Sequence, residues 1–161
     1  MTVDIVRRLV RGCAVLLLAL GSWPCLVVAG EVQSLIEKGN QHWQAGELDQ
    51  AVVSYQGAVE QDPRSVDARM KLAGLYIARQ QYRAGVETFQ RAIGIKPDNA
   101  NAFIGMAIGY LHMGDPQLAY AALVEALGID PDKRDRVEPL MQQIEARLAS
   151  RPPQVPTANI P

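Results

Sequence analysis

The chain has 161 residues, of which 48% are hydrophobic and 20% charged, and this composition suits a soluble domain with a buried core. Its formal net charge of −1 lacks the basic surplus of nucleic-acid-binding proteins, so no nucleic-acid partner is predicted. Both cysteines, Cys13 and Cys25, precede residue 31, which leaves the rest of the chain without a disulfide, a thiol nucleophile or a thiolate metal ligand.

Residues 1–30 have the order of a secretory signal peptide. Three arginines precede the apolar run GCAVLLLAL at 12–20, and small residues near Ala29 predict cleavage after Ala29 or, almost equally, after Gly30. An uncleaved anchor is the alternative, because residues 12–29 reach the lower limit for a membrane span of about 20 residues. The short apolar core favours the signal, and membrane tethering through residues 9–29 stays open. We expect an exported protein, either periplasmic or membrane-associated and facing the periplasm.

The chain after residue 31 repeats itself. Three similar stretches, at 57–64, 91–98 and 125–132, end in prolines at positions 63, 97 and 131, which gives a period of 34 residues. A fixed period of this length is typical of stacked helical hairpins.

Each repeat contains two helical patterns. In the first, apolar residues recur at helical spacing up to Gly46 and again from Leu48 to Ala58, and Pro63 ends the second run. Small residues occupy equal positions in successive repeats: Gly39, Ala73 and Ala107; Ala51, Gly85 and Ala119; Ala58, Ala92 and Ala126. We therefore predict three antiparallel helical hairpins at residues 32–65, 66–99 and 100–133.

The third repeat carries Phe103-x2-Met106-Ala107-x2-Tyr110, followed by Ala119-x3-Leu123, Ala126 and Pro131. This is similar to the pattern W-x2-L-G-x2-Y, A-x3-F, A and P, so residues 32–133 resemble the tetratricopeptide repeat (TPR) family. The resemblance implies an all-α fold, a right-handed superhelical solenoid of three TPR hairpins. It also implies protein binding, without identifying the partner.

The middle repeat departs from the family pattern at three positions. Arg69 stands where an aromatic residue or leucine usually packs, and Gln80 replaces the turn glycine that Gly46 and Gly114 supply in the other repeats. Gly85 replaces an alanine, at a cost of about 1 kcal/mol of helix propensity. We expect the middle repeat to be the loosest.

The residues after the repeats predict a lid and a tail. Residues 134–150 carry one apolar stripe, formed by Val137, Leu140, Met141, Ile144 and Leu148. Because an end repeat leaves an apolar face bare, we interpret this segment as a capping helix. Residues 151–161 are proline-rich without apolar periodicity, and we predict a disordered tail that acts as a spacer.

No catalytic residue, metal site or cofactor is predicted. His42 falls in a packing series, whereas His112 lies two hairpins away, near the exposed side of its helix. Asp130-x-Asp132 lacks the glycine and the final glutamate of a calcium loop, so it is interpreted as a turn and helix cap. Gly105-x-x-x-Gly109 is expected to let two helices approach closely rather than to bind phosphate.

The candidate site is a concave groove, which in the TPR family is lined by the first helix of each hairpin. Repeat register places these residues in what we term the predicted groove: Ile36, Asn40, Trp43, Met70, Gly74, Ile77, Ile104, Ile108, Leu111 and His112. Most of them are apolar, and other positions already supply the core side of each helix, so a binding surface is favoured over internal packing. A carboxylate clamp for chaperone C-termini is not predicted, because only Asn40 fits its pattern.

These observations predict a non-catalytic adaptor of the bacterial cell envelope. It would bind a peptide or amphipathic helix of another protein in the predicted groove, with Trp43 and Met70 as its main contacts, during assembly of an envelope complex. The alternative is a self-associating scaffold, in which the apolar face joins copies of the same chain. The oligomeric state is not predicted.

Overall fold

The computed structural model describes the backbone of residues 23–150 and the side chains of residues 30–150. All regular secondary structure in that part of the chain is helical, and it contains no strand. Its helices are α1 (Trp23–Gln44), α2 (Leu48–Gln61), α3 (Val66–Ala78), α4 (Tyr82–Ile95), α5 (Ala100–Met113), α6 (Pro116–Ile129), a 3-10 helix (Pro131–Lys133) and α7 (Arg134–Ala149). The predicted signal or anchor lies mostly outside the described residues, and the predicted tail lies wholly outside them.

Helix α1 begins at Trp23, ahead of the first predicted repeat, which starts at residue 32. It continues without a break through Ala29 and Gly30, the region where cleavage is expected. A single glycine costs a helix only about 1 kcal/mol, and Pro24 lies in the first turn, where proline is tolerated. Within the described residues, no helix combines the length and the apolar character needed to cross a bilayer.

The turn inside each hairpin has the same backbone geometry. Gly46, Gln80 and Gly114 all adopt positive φ angles, of 77°, 62° and 86°. In each turn this residue donates its N–H to a carbonyl three residues back, and the next residue donates to a carbonyl five residues back. This is a Schellman motif, which satisfies carbonyl groups at the end of the first helix. The middle repeat therefore keeps the turn without its glycine.

The prolines between hairpins end the second helices as predicted. The preceding residues, Asp62, Lys96 and Asp130, all have extended backbone angles, and each donates its N–H to the carbonyl four residues back. Proline disfavours a helical conformation in its predecessor, which explains the common geometry. The Asp130 carboxylate accepts the Asp132 N–H at 3.2 Å and pairs with Lys133 at 3.0 Å, which confirms its predicted role in a turn.

The chain divides into two compact units between Ala68 and Arg69. In the first unit, α1 packs against α2, and Ala51, Tyr55 and Ala58 are fully buried. In the second unit, α5 packs against α4 and α6, and α6 also packs against α7. Val137 and Ile144 of α7 are buried in the same apolar cluster as Leu123 of α6, so α7 covers the last hairpin.

Several glycines are required because another helix leaves no room for a Cβ atom. In α5, a Cβ at Gly105 would collide with the buried ring of Phe89, and one at Gly109 would lie 2.5 Å from Cγ2 of Val86. These two contacts confirm that the predicted Gly105–Gly109 pair allows a close helix approach. A Cβ at Gly85 would lie 2.6 Å from Cδ1 of Ile77, so this glycine serves close packing in the middle repeat.

Candidate functional site

In the first unit, the predicted groove residues are engaged within their own hairpin. Ile36 is only 2% exposed, which corrects the exposure expected for it. Asn40 accepts a hydrogen bond from the Tyr55 hydroxyl at 2.8 Å. Trp43 packs edge-on against the same Tyr55 ring, with ring centroids 6.3 Å apart and an interplanar angle of 70°. All three side chains therefore have roles in folding.

In the second unit, the predicted groove residues separate into three groups. Ile104 is 5% exposed and belongs to the core, so the exposure expected for it is also corrected. Ile77 occupies the space that Gly85 and Gly109 leave open. The remaining positions before His112 are half-buried: Met70, Gly74, Ile108 and Leu111. The small residues let the helices approach closely, and as a result Ile77 and Ile104 of the predicted groove pack inside the second unit.

The two histidines have different surroundings. His42 lies at the first turn, where its Nδ1 is 2.6 Å from Oε2 of Glu47. His112 is exposed, and its ring stacks on Tyr82 with centroids 4.5 Å apart and an interplanar angle of 3°. In the described residues, no three His, Cys, Asp or Glu side chains are grouped as metal ligands would be.

A cleft between α5 and α7 gathers two of the predicted groove residues. It has a volume of about 470 Å³, and we term it the α5–α7 cleft. Its lining consists of Leu111 and His112 from α5, and Leu140, Gln143, Ile144 and Arg147 from α7. Sequence reasoning missed the α7 residues as site residues. Their spacing of i, i+3, i+4 and i+7 places them on one helix face, which was the available signal.

The α5–α7 cleft combines an apolar floor with a polar rim. Ile144 is buried, Leu111 and Leu140 are half-buried, and Gln143 and Arg147 are exposed. Arg147 is the one formally charged residue among the six that line the cleft. Within the described part of the chain, its guanidinium forms no ion pair.

The nearest carboxylate along α7 is bound elsewhere. Glu145 accepts a hydrogen bond from the Tyr120 hydroxyl of α6 at 2.7 Å, which turns this carboxylate towards α6. The hydrogen bond is the main reason that the pKa of Tyr120 lies above the usual value of 10.0, with burial contributing less. The cleft lining consequently contains a cation and no carboxylate.

Two further cavities have mixed charge. One, of about 850 Å³, lies beside the α3–α4 turn and is lined by Tyr76, Gln80, Gln81, Tyr82, Arg83, Ala84, Glu87, Met113 and Asp115. The other, of about 240 Å³, lies in the first unit and is lined by Lys38, His42, Asp49, Gln50, Val53 and Ser54. Because cations and carboxylates both line each cavity, neither favours a ligand of one charge.

The tetratricopeptide repeat family model matches residues 42–102 and 77–144. The chain belongs to the tetratricopeptide repeat family. Among curated proteins it is similar to the general transcriptional corepressor trfA of Dictyostelium discoideum, at 33% identity over 113 residues. This alignment covers 67% of the chain but only 8% of the length of trfA.

Solved TPR structures confirm the predicted all-α TPR fold. The first TPR of Spaghetti (RPAP3), bound to the HSP90 peptide SRMEEVD, superposes with a TM-score of 0.71 at 18% identity, covering 75% of this chain and 95% of that chain. The Yersinia enterocolitica type III secretion chaperone SycD, in complex with a peptide of the translocator YopD, gives a TM-score of 0.67 at 16% identity. That match covers 72% of this chain and 93% of SycD.

Proposed function

We propose that this protein is a non-catalytic adaptor that binds a peptide or an amphipathic helix of a partner protein. The α5–α7 cleft is the observation that carries the proposal, because an apolar floor with a few polar groups at its rim is typical of binding sites. Two structural neighbours were solved with peptides bound, which supports the same class of ligand. We place the site in the cleft because Ile36, Ile77 and Ile104 take part in packing.

The cleft has room for few ligand side chains, so its contribution to the binding free energy is limited. Burying one aliphatic ligand side chain against Leu111, Leu140 and Ile144 contributes about 1.5–3 kcal/mol. A Kd of about 1 μM corresponds to about −8 kcal/mol, so one such contact is insufficient. The partner segment therefore needs further contacts beyond its first apolar side chain.

Blocking the cleft tests the proposal. Peptides of about 12 residues, which extend to about 40 Å, would be selected from a displayed random library against the full chain. Gln143→Trp fills the cleft from its exposed rim, and Gln142→Trp makes the same change at an exposed position of α7 outside the cleft lining.

We expect the selected peptides to lose at least about tenfold in affinity for Gln143→Trp, since each lost apolar contact is worth about that factor. Their affinity for Gln142→Trp should stay within about twofold, and circular dichroism would verify that both variants are folded. Failure to select any peptide, or equal binding by the two variants, would contradict a binding site in this cleft.

We also propose that the protein is exported and takes part in assembly of a bacterial envelope complex. The order of basic, apolar and small residues in 1–30 supports export. N-terminal sequencing after cell fractionation tests this proposal. A mature chain that begins near Gly30 or Glu31 indicates a cleaved signal, and Met1 in the membrane fraction indicates an anchor. Met1 in the cytoplasmic fraction alone would contradict export.

A self-associating scaffold is the second candidate function. Leu118 and Val124 on α6 are 50% and 46% exposed, whereas the equivalent positions in α4 hold Ala84 and Gln90. Each of these side chains adds exposed apolar surface to α6, and burying it against a second copy of the chain would favour association. Light scattering over a dilution series should show a scaffold as an oligomer that Leu118→Glu with Val124→Glu converts to a monomer. A wild-type chain that is monomeric throughout would reject this alternative.

A further inference from the structure

We propose that the α5–α7 cleft selects a partner segment with an acidic side chain next to an apolar one, and that Arg147 determines this preference. The inference rests on the proposed function and specifies the ligand of the same site. The acidic side chain that Arg147 binds is an aspartate or glutamate inside the partner segment, not its C-terminal carboxylate.

The geometry of α7 provides room for two adjacent ligand side chains. Leu140 and Arg147 lie at opposite ends of the cleft face, seven residues apart, and an α-helix rises about 10 Å over that distance. Ile144 and Leu111 supply the apolar surface between them. An apolar ligand side chain can therefore lie on this surface while its neighbour reaches the guanidinium. A segment that crosses the cleft in this way does not need to end there.

The charge of the cleft selects the second side chain. Arg147 is exposed, and within residues 30–150 no carboxylate pairs with its guanidinium, which carries five N–H donors. A guanidinium binds a carboxylate through two parallel hydrogen bonds, which are stronger than those between neutral groups. Glu145 does not compete, because its carboxylate accepts the Tyr120 hydroxyl on the α6 side.

His112 adds a second donor on the opposite wall. Its ring is held by stacking on Tyr82, at an interplanar angle of 3°. An imidazole ring carries an N–H donor, so the α5 wall of the cleft also holds a group that can bind an acceptor. None of the six lining residues is a carboxylate that would repel an anionic group.

The first helices of the hairpins do not carry the residues of the carboxylate clamp at its five positions. The positions that would form a carboxylate clamp hold Ile36, Asn40, Lys71, Asn101 and Gly105, and only Asn40 fits the clamp. The side-chain oxygen of Asn40 already accepts the Tyr55 hydroxyl, and Gly105 faces the ring of Phe89. The capping helix, in contrast, supplies Arg147 beside an apolar surface.

Charge reversal tests the inference on a peptide from the library selection described above. Three synthetic versions would carry Glu, Gln or Lys at the acidic position, and fluorescence anisotropy would measure their Kd values for the full chain. Arg147→Glu is compared with Arg136→Glu, which makes the same change in net charge on an exposed part of α7 outside the cleft lining.

We expect the Glu peptide to bind the wild type at least about tenfold more tightly than the Gln peptide. Arg147→Glu should remove this preference and favour the Lys peptide, whereas Arg136→Glu should change each Kd by no more than about twofold. The Glu peptide should bind equally well with a free or an amidated C-terminus. A requirement for the free C-terminus would overturn the assignment to an internal side chain.

Failure of the inference and failure of the proposed function give different results. If selected peptides carry no acidic residue and Arg147→Glu binds them like the wild type, while Gln143→Trp does not bind them, the cleft binds peptides without the proposed preference. If no peptide is selected, or if Gln143→Trp binds as well as Gln142→Trp, the proposed function itself is wrong.

Discussion

The role of a glycine in this chain depends on what packs against it. Gly105 and Gly57 both lie inside helices, so both carry the same cost in helix propensity. A Cβ at Gly105 would collide with the ring of Phe89, whereas one at Gly57 would make an ordinary contact with Leu35 at 3.7 Å. Only the neighbouring helix distinguishes a required glycine from a replaceable one.

Alanine substitution should therefore have opposite effects at these two positions. Gly57→Ala should raise the free energy of unfolding by about 0.5–1 kcal/mol through helix propensity. Gly105→Ala should lower it by about 1–3 kcal/mol, because the Phe89 ring is 4% exposed and has little space to move. Urea unfolding would measure both changes. Phe89→Leu should restore part of the loss in Gly105→Ala, and its failure to do so would contradict the proposed collision.

In the first unit, the apolar character of the predicted groove residues led to an exposure that the structure does not show for Ile36. Ile36, Asn40 and Trp43 share one helix face, and an apolar face is equally compatible with packing and with ligand binding. The structure buries Ile36 and directs Asn40 and Trp43 to Tyr55. Sequence periodicity shows which residues share a face, but it does not show what covers that face.

At the scale of the element, the three turns share a conformation that only two of their sequences favour. Gly46 and Gly114 adopt positive φ without a steric penalty, whereas Gln80 adopts φ 62° with a side chain. The departure at Gln80 was visible in the sequence. The sequence did not show that the chain keeps the same turn there with a strained Gln80 backbone.

Replacing Gln80 with glycine should relieve this strain. Gln80→Gly should raise the free energy of unfolding by about 1 kcal/mol, the usual cost of a left-handed conformation for a residue with a Cβ. Gln81→Gly is the matched control, because Gln81 has a φ of −86° and carries no such strain. Urea unfolding would compare the two variants. Equal effects of the two substitutions would show that the Gln80 conformation costs nothing.

The capping helix is the element whose role changed most. Its apolar stripe predicted a lid, and Val137 and Ile144 are buried as a lid requires. A second face of the same helix, which includes Gln143 and Arg147, lines the α5–α7 cleft. The spacing of these two residues shows that they share a helix face with Leu140 and Ile144, and their position opposite Leu111 and His112 makes that face part of a cleft.

At the scale of the whole molecule, each unit contains a tyrosine whose ionisation should lower the free energy of unfolding at alkaline pH. Burial, with smaller effects from the Asp67 and Glu37 carboxylates, raises the pKa of Tyr55 above 10.0. The hydrogen bond to Glu145 raises the pKa of Tyr120 in the second unit. A raised pKa in the folded state means that folding favours the protonated phenol.

The stability supplied by these tyrosines should be fully present below about pH 10, the pKa of an unfolded tyrosine, and lost as pH rises through the folded-state values. Urea unfolding at a series of alkaline pH values would measure the loss. Tyr55→Phe and Tyr120→Phe should each make the decline less steep, because phenylalanine does not ionise. Unchanged slopes in both variants would contradict the pKa shifts.

The number and positions of the hairpins could be predicted without coordinates, because helical spacing, the prolines at 63, 97 and 131 and the 34-residue period are local signals. The sequence also predicted the TPR fold and the capping helix. Only the tertiary structure decided which apolar side chains remain exposed, since that depends on how closely α4, α5 and α6 pack. The α5–α7 cleft arises in the same way: Leu111 and Arg147 lie far apart in the chain, and the packing of the capping helix brings them to one site.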